Sequence, residues 1–300
     1  MNFNNKFYTN HIPVLLIVIS CIIFSFCSKM SDYEPEPEPG QSLGIVSIPN
    51  LRDMGGYKTA NGAIVASGLV YRSNQLNNIS ESDMLLLAEL NLKNAFDLRT
   101  AAERSENLDE LPVGVNNVWL DVLADVPASG PANLTALLSD PQQANNELGN
   151  GKVEEMFKEA YRHCISLPSA QSAYRELFLA LGDKNQLPAL FHCTTGKDRT
   201  GWAAAALLTL VGVPMEAVKK DHLRSNDYIL PMYETTIQQF VEAGGLPSIP
   251  TAIFGVKEEY LDAAFDEMKA KYGNIENYFS EGLGITVDQQ TALRNLYLRD

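Results

Sequence analysis

The chain has 300 residues, of which 45% are hydrophobic and 20% are charged. This composition supports one large domain or two small ones with a buried core, and it excludes a disordered polymer. The formal net charge of −14 excludes a general nucleic-acid binder, whose affinity comes mostly from cations laid along phosphates, but it leaves room for a local pocket of Lys and Arg.

The N-terminal segment has the pattern of an export signal. Residues 12–26 are almost wholly apolar and end at Cys27, and Lys6 is the only Lys or Arg before that cysteine. The run is too short for a membrane-spanning helix, which needs about 20 residues, but it fits the apolar region of a signal peptide. A cysteine at this place is similar to the lipidated residue of bacterial lipoproteins. We therefore predict a lipoprotein-type signal peptide over residues 1–26 and lipidation of Cys27.

This assignment places the body of the protein outside the cytoplasm, attached to the bacterial cell envelope (periplasm or outer membrane) only through the N-terminal lipid. An uncleaved anchor or a plain secretory signal, the two alternatives, would also place it outside. Residues 34–40, EPEPEPG, alternate Glu with Pro and cannot form a helix or a strand ladder. We predict a tether over residues 27–43 and one catalytic domain over residues 44–300.

The first half of the body alternates short strands with helices. Strands are predicted at residues 63–65, 69–71, 93–98 and 118–122. Helices are predicted at 80–91, from 100 onward, at 152–165 and at 169–181, with a loop-rich stretch over 122–151. The alternation predicts an α/β fold with a small, mostly parallel central sheet flanked by helices. Beyond Gly201 the pattern predicts a helical C-terminal half.

The residues that carry chemistry lie in HCTTGKDRTG, residues 192–201. An apolar strand ends at Cys193 and an Ala/Leu-rich helix begins at about Arg199, so free backbone N–H groups at the helix start can bind an anion. Arg199 can hold two phosphate oxygens, and its charge favours the thiolate of Cys193, which we predict to be the nucleophile. Thr200 is predicted to donate its hydroxyl to the leaving sulfur in the second step. The predicted phosphate cradle comprises Thr194, Thr195, Gly196, Lys197, Asp198 and Arg199.

This motif resembles the HCxxGxxRTG signature of cysteine-dependent protein tyrosine and dual-specificity phosphatases. Its Lys197-Asp198 pair is similar to the secreted bacterial tyrosine/serine branch, whose loop reads HCxxGKDRTG. Further likeness runs from about Gly44 to the C-terminus, although His222 and Arg224 depart from the family pattern DYLLSN. The likeness lies in NLRDMGGY at 50–57, YRS at 71–73, FDLRT at 96–100, DHLRSND at 221–227 and the stretch from Tyr272 to Gly284.

The resemblance implies a cysteine-phosphatase fold and hydrolysis of phosphomonoesters through a phosphocysteine, without a metal or other cofactor. The implied substrate is protein phosphotyrosine, with phosphoserine, phosphothreonine or phosphoinositide as further substrates. Alternatives are a small-molecule phosphatase for sugar or inositol phosphates, a non-catalytic phosphoprotein-binding module, and an arsenate reductase or sulfurtransferase. The sequence specifies no oligomeric state.

The general acid is left open among three carboxyl groups, because the chain contains no WPD tripeptide. Asp198 lies in the loop itself, and Asp97 lies at the end of a predicted parallel strand, where α/β active sites gather. The alternative for Asp97 is an ion pair with Arg99. Asp53 is the third candidate, and its alternative is a turn residue.

Other residues near the motif have competing interpretations. Lys197 either adds charge beside the phosphate or is a solvated surface lysine. His192 is predicted to support the loop from behind rather than react, and Cys164 is predicted to be an inert buried thiol.

The resemblance also implies a helical cover over the pocket in this part of the chain, residues 228–245. The apolar positions 229, 233, 237, 240 and 241 follow a helical stripe, so an ordinary core helix is the alternative. We predict a helix across the mouth above Cys193, hinged at Gly244-Gly245, in which Met232 and Phe240 shield the thiol from peroxide.

Overall fold

The computed structural model describes residues 1–2, 38–126 and 134–299. Cys27 and most of the predicted tether lie outside these ranges. Residues 37–300 form one compact unit. Within the described ranges, none of the helices has the length and apolar character needed to cross a membrane.

A five-stranded sheet organises the first half of this unit. Four neighbouring strands are parallel, and the two-residue edge strand β1 is antiparallel to its neighbour, so the predicted α/β fold with a mostly parallel sheet is confirmed. In spatial order the strands are β1 (Arg52–Asp53), β3 (Val70–Ser73), β6 (Ala189–His192), β4 (Asn94–Asp97) and β5 (Asn116–Trp119). A separate antiparallel ribbon pairs β2 (Ile64–Val65) with β7 (Leu298–Arg299).

The central strand β6 sets the position of the motif. All four of its residues are buried, as an apolar strand between two parallel neighbours should be. Its last residue, His192, pairs with Ser73 of β3 and Asp97 of β4, so the loop that follows opens at the carboxyl edge of the sheet. Ligand sites of parallel α/β sheets lie at this edge.

Helices surround the sheet and fill the second half of the unit, as predicted. They are α1 (Glu81–Glu89), α2 (Ala101–Glu106), α3 (Leu134–Leu137), α4 (Pro141–Leu148), α5 (Lys152–Ser166), α6 (Pro168–Leu181), α7 (Arg199–Leu210), α8 (Met215–Leu223), α9 (Ser225–Ile229), α10 (Glu234–Glu242), α11 (Ser248–Phe254), α12 (Glu258–Tyr272), α13 (Ile275–Asn277) and α14 (Val287–Tyr297). Helix α7, which follows the motif, is the interior helix: eleven of its twelve residues are buried.

Local signals explain where several helices begin. The Ser80 side chain accepts from Asp83 N at the start of α1, and Thr100 and Glu103 form a complete capping box at the start of α2. The loop-rich prediction for residues 122–151 is wrong in part, because α4 begins at Pro141 behind an Asp140 cap. Strand β5 also begins and ends earlier than predicted. The apolar residues Leu120 and Val122, which were expected to lie within it, are buried beyond its end.

The single helix predicted over residues 228–245 is not formed. Helix α9 ends at Ile229, a 3₁₀ helix covers Leu230–Tyr233, and α10 begins at Glu234. The break coincides with Pro231, which lacks a backbone N–H and cannot continue an α-helix from the preceding turn.

Candidate active site

The loop from Cys193 to Asp198 turns its carbonyl groups toward the surrounding protein. Thr194 O accepts from Gln75 N at 3.1 Å, Thr195 O from Asn50 Nδ2 at 3.0 Å, and Gly196 O from Arg72 Nη2 at 2.7 Å. In the described ranges, the backbone N–H groups of residues 194–199 have no hydrogen-bond partner. With the start of α7, they form a set of free donors suited to an oxyanion.

Gly196 is required by both conformation and space. Its φ is +69°, in the left-handed region, and an added Cβ would lie 2.2 Å from Ser73 O. The loop is therefore packed directly against the end of β3, as the sequence pattern predicts for a residue that closes a phosphate cradle.

Arg199 is held in place by Glu103, which also completes the capping box at the start of α2. Arg199 Nη1 and Nη2 donate to Glu103 Oε2 and Oε1, each at 2.7 Å, and the Thr194 hydroxyl donates to the same carboxylate. Burial opposes ionisation of Glu103, but the Arg199 charge and these hydrogen bonds hold its pKa well below the usual range. Glu103 therefore orients both the guanidinium and the cradle.

A cavity of about 130 Å³ opens beside the loop. Cys193 is 1% exposed, and the loop that follows it lines the cavity through Thr194, Thr195, Lys197, Asp198 and Arg199. The remaining lining is mostly apolar, which suits a phosphate ester whose organic group is aromatic. The lining residues are Glu103, Leu123, Val126, Phe157, Ala160, Tyr161, His163, Cys164, Thr194, Thr195, Lys197, Asp198, Arg199, Tyr233, Ile253 and Phe254.

Lys197 and Asp198 form an ion pair at this cavity. Lys197 Nζ lies 2.9 Å from both carboxylate oxygens of Asp198 and 4.5 Å from the ring centroid of Phe157. Lys197 is 1% exposed, so it is not a solvated surface lysine. The Asp198 side chain is about one-quarter exposed. Both residues thus lie where the sequence analysis placed them, at the cradle.

Asp97 and Asp53 are engaged elsewhere. Both oxygens of Asp97 accept from Arg99 at 2.8 Å, and Arg104 Nε lies 2.9 Å from Oδ2. This arrangement favours the ion-pair interpretation of Asp97 over the role of general acid. Asp53 accepts from Gly55 N and Gly68 N, each at 2.7 Å, as expected of a turn residue. Of the three candidates, Asp198 is the one that lines the cavity.

His192 lies behind the loop, in line with the support role predicted for it. It is fully buried, with Nε2 at 3.3 Å from Asp109 Oδ2. Burial opposes ionisation of Asp109, but His192 and Arg99 lower its pKa to about 2. A group of three potential metal ligands lies here, formed by Asp97, Asp109 and His192. The Arg99 guanidinium already contacts both carboxylates and supplies the positive charge at this place.

Two further side chains near the loop bear on its chemistry. Thr200 is fully buried, and its hydroxyl has no hydrogen-bond partner in the part of the chain that the structure describes, so its proton is available to donate. Cys164 lines the cavity, and burial raises its pKa to about 12, which keeps it a neutral thiol.

Comparison with known proteins adds to this geometry. A family model described as the tyrosine phosphatase family matches residues 43–299. A putative tyrosine-protein phosphatase of Cupriavidus necator is 30% identical over 268 residues, which cover 85% of this chain and 88% of the relative. The triple specificity protein phosphatase PtpB of Mycobacterium tuberculosis is 27% identical, covering 83% of this chain and 96% of its own. The crystal structure of P. aeruginosa TpbA covers 70% of this chain and 97% of its own, with 17% identity and a TM-score of 0.28.

Proposed function

This chain belongs to the tyrosine phosphatase family, and from that premise we propose that it hydrolyses protein phosphotyrosine through a phosphocysteine formed on Cys193. The observation that carries the proposal is the cradle: free backbone N–H groups and an Arg199 fork fixed by Glu103 surround one cysteine. Donors of this kind bind the oxygens of a phosphoryl group.

In the first step, the Cys193 thiolate attacks phosphorus and the bond to the ester oxygen breaks. The N–H groups of residues 194–199 and the Arg199 guanidinium bind the three phosphoryl oxygens as charge spreads over them. Asp198 donates a proton to the leaving oxygen, which departs as the free hydroxyl of tyrosine.

In the second step, water attacks the phosphocysteine, Asp198 accepts a proton from that water, and the sulfur–phosphorus bond breaks. The Thr200 hydroxyl donates a hydrogen bond to the departing sulfur, a role open to it because no other partner engages it among the described residues. Lys197 adds positive charge at the same cavity. The products are inorganic phosphate and the regenerated thiolate.

The other readings of the motif are less well supported. A binding module needs the cradle but neither a proton donor at Asp198 nor a free hydroxyl at Thr200, and both are present. A reductase needs a second thiolate as a relay. Cys164 lines the same cavity, but its pKa is raised to about 12, so at neutral pH it is a protonated thiol and cannot act as the relay.

Replacement of the nucleophile tests the proposal. Cys193→Ser is expected to abolish turnover of a phosphotyrosine peptide while leaving the affinity for inorganic phosphate within about threefold, because the cradle is intact. The measurements are phosphate release with excess chelator present and phosphate binding by calorimetry. Turnover by the serine variant would refute the phosphocysteine mechanism.

Substrate breadth is a separate part of the proposal. We propose phosphoserine, phosphothreonine and phosphoinositide as further substrates, supported by the "triple specificity" in the description of the PtpB relative. A panel of these substrates with sugar and inositol phosphates, compared by kcat/KM, decides between them. A preference for the free sugar phosphates would favour the small-molecule alternative.

We also propose that Cys27, which lies outside the described residues, carries a lipid that anchors the enzyme to the cell envelope. The support is the apolar segment that ends at this residue. Cys27→Ser is expected to abolish labelling by radioactive palmitate and to release the phosphatase from the membrane fraction. Retained labelling would contradict lipidation at this cysteine.

A further inference from the structure

One face of helix α5 supports the catalytic loop. Phe157, Tyr161 and Cys164 follow one another at helical spacing, and all three line the cavity. The Phe157 ring lies under the Lys197 ammonium at 4.5 Å. The Tyr161 hydroxyl lies 3.0 Å from Asp198 Oδ1 and 3.3 Å from Lys197 O. The helix therefore contacts the two loop residues that the proposed mechanism uses for charge and proton transfer.

The rest of the loop does little to fix the Asp198 carboxyl. Asp198 is the N-cap residue of α7, but its side chain makes no cap hydrogen bond. Its other partner, the Lys197 ammonium, lies 2.9 Å from both carboxylate oxygens and so does not select one of them. A phosphate dianion in the cavity competes with Asp198 for that ammonium, so this contact weakens when substrate binds.

Tyr161, in contrast, is rigid. The side chain is fully buried, and its ring packs against His222 at 5.7 Å and Tyr260 at 5.9 Å between centroids. Burial raises the pKa of its hydroxyl well above the usual value, so the hydroxyl keeps its proton and remains a donor at every physiological pH.

We propose that Tyr161 is a positioning residue that orients the Asp198 carboxyl for proton transfer. The hydroxyl holds Oδ1, which leaves Oδ2 to carry the proton to the leaving oxygen and to receive one from water. This inference rests on the proposed function, because it specifies how the candidate acid of that mechanism is aligned.

The test compares two aryl phosphates that differ in how much they need the proton. For phenyl phosphate, whose leaving oxygen is strongly basic, Tyr161→Phe is expected to lower kcat/KM about tenfold, a part of the 10²–10⁴ that a general acid contributes. For 4-nitrophenyl phosphate, whose leaving group departs without a proton, kcat/KM is expected to change by less than about threefold. The comparison uses kcat/KM because this constant reports formation of the phosphocysteine and excludes the attack of water, which is the same step for both substrates. The affinity for inorganic phosphate is expected to be unchanged, because the cradle is not altered.

Tyr260→Phe is the matched control. Tyr260 is also fully buried beside Tyr161 and Phe157, but its hydroxyl has no hydrogen-bond partner among the described residues. Loss of this hydroxyl is expected to leave kcat/KM unchanged for both substrates. A loss equal to that of Tyr161→Phe would mean that the effect comes from packing, and it would overturn the inference.

A double-mutant cycle with Asp198→Asn completes the test. If Tyr161 acts through Asp198, Tyr161→Phe is expected to cause no further loss of kcat/KM in the Asp198→Asn background. Equal losses on the two substrates, or fully additive losses in the cycle, would overturn the inference. Either result would leave the phosphocysteine mechanism standing, since that mechanism depends on Cys193→Ser being inactive.

Discussion

At the scale of single residues, the central feature is a guanidinium that is oriented before substrate arrives. Two parallel hydrogen bonds that Arg199 donates to Glu103 fix the plane of the guanidinium, and the Thr194 hydroxyl donates to the same carboxylate. A planar fork binds two phosphoryl oxygens well only when its plane is correct, so the cost of ordering the side chain is met during folding. Glu103 is thus a positioning residue, because it acts through Arg199 and contacts no reacting atom itself.

Glu103→Gln is expected to lower kcat/KM for phosphotyrosine peptide by about 10- to 100-fold. The amide lacks the charge, and one of its two ends is a donor that cannot pair with the guanidinium, so the fork loses its alignment. Glu106→Gln, a change at an exposed acid on the same helix, is the control and is expected to have no effect. Wild-type kcat/KM in Glu103→Gln would show that Arg199 is oriented by other groups.

Whether a residue of the candidate site could be predicted from the sequence depends on how far it lies from its partners along the chain. Residues 193–200 were predictable, because one strand, one loop and one helix start bring them together whatever the rest of the chain does. Glu103 and Tyr161 were not, since they meet Arg199 and Asp198 across separations of 96 and 37 residues. For Glu103 the only signal was a capping box, which the structure also contains.

At the scale of elements, the mouth of the cavity is formed by two short helices rather than one lid. Tyr233, in the 3₁₀ helix after α9, stacks on Phe254 of α11 with 3.9 Å between ring centroids, and both line the cavity. Met232 is 50% exposed and Phe240 is buried against Gly245, and neither lines the cavity.

The Gly244-Gly245 pair is tied down rather than free to hinge. Asn145 of α4 donates to Gly244 O at 2.9 Å and accepts from Leu246 N at 2.8 Å. Because Tyr233 lines the cavity and Met232 and Phe240 do not, we expect any shielding of the thiol in this segment to come from Tyr233. The apolar periodicity of the sequence predicted a helical segment here but not its division into two helices, because Pro231 interrupts the stripe only two residues after it begins.

Tyr233→Ala is expected to increase the rate at which hydrogen peroxide inactivates the enzyme. Removing the ring widens the cavity that the loop after Cys193 lines, which is expected to increase access to the thiol, and exposure governs the oxidation of a thiolate. The measurement is the pseudo-first-order inactivation rate with and without inorganic phosphate as a protectant. Met232→Ala is the neighbouring control and is expected to leave that rate unchanged. Equal rates for wild type and Tyr233→Ala would show that the ring does not shield the thiol.

At the scale of the whole molecule, a buried ion cluster joins the N-terminal strands, helix α8 and the catalytic loop. Asp221 accepts from Arg52 at 2.7 Å, from Arg72 at 2.6 Å and from Tyr57 at 2.7 Å. Arg72 then reaches Gly196 O. Burial opposes ionisation of Asp221, but the two guanidinium groups lower its pKa, so the cluster remains ionised at neutral pH. The strand order that brings these residues together is not visible in any local pattern.

His222, the neighbour of this cluster, makes stability depend on pH. It is buried against Tyr161, and burial, together with the nearby Arg72 charge, lowers its pKa to about 3. In the unfolded chain a histidine has a pKa of about 6.5. Between these values the unfolded chain binds one more proton than the folded protein, so stability is fully present above about pH 6.5 and is lost as the pH falls.

Between about pH 7.5 and pH 5, the carboxyl groups of Glu103, Asp109 and Asp221 stay ionised in the folded protein and titrate mostly below this range in the unfolded chain. Burial raises the pKa of Asp53 and of Asp121, so a variant that lacks only the His222 imidazole is needed to separate its contribution from theirs. Over that range the His222 contribution to the free energy of unfolding is expected to fall by about 2 kcal/mol. His222→Phe keeps an aromatic ring against Tyr161 but does not titrate, so its urea midpoint is expected to change less with pH than that of wild type. Parallel decreases in the two proteins would show that His222 is protonated equally in the folded and unfolded states.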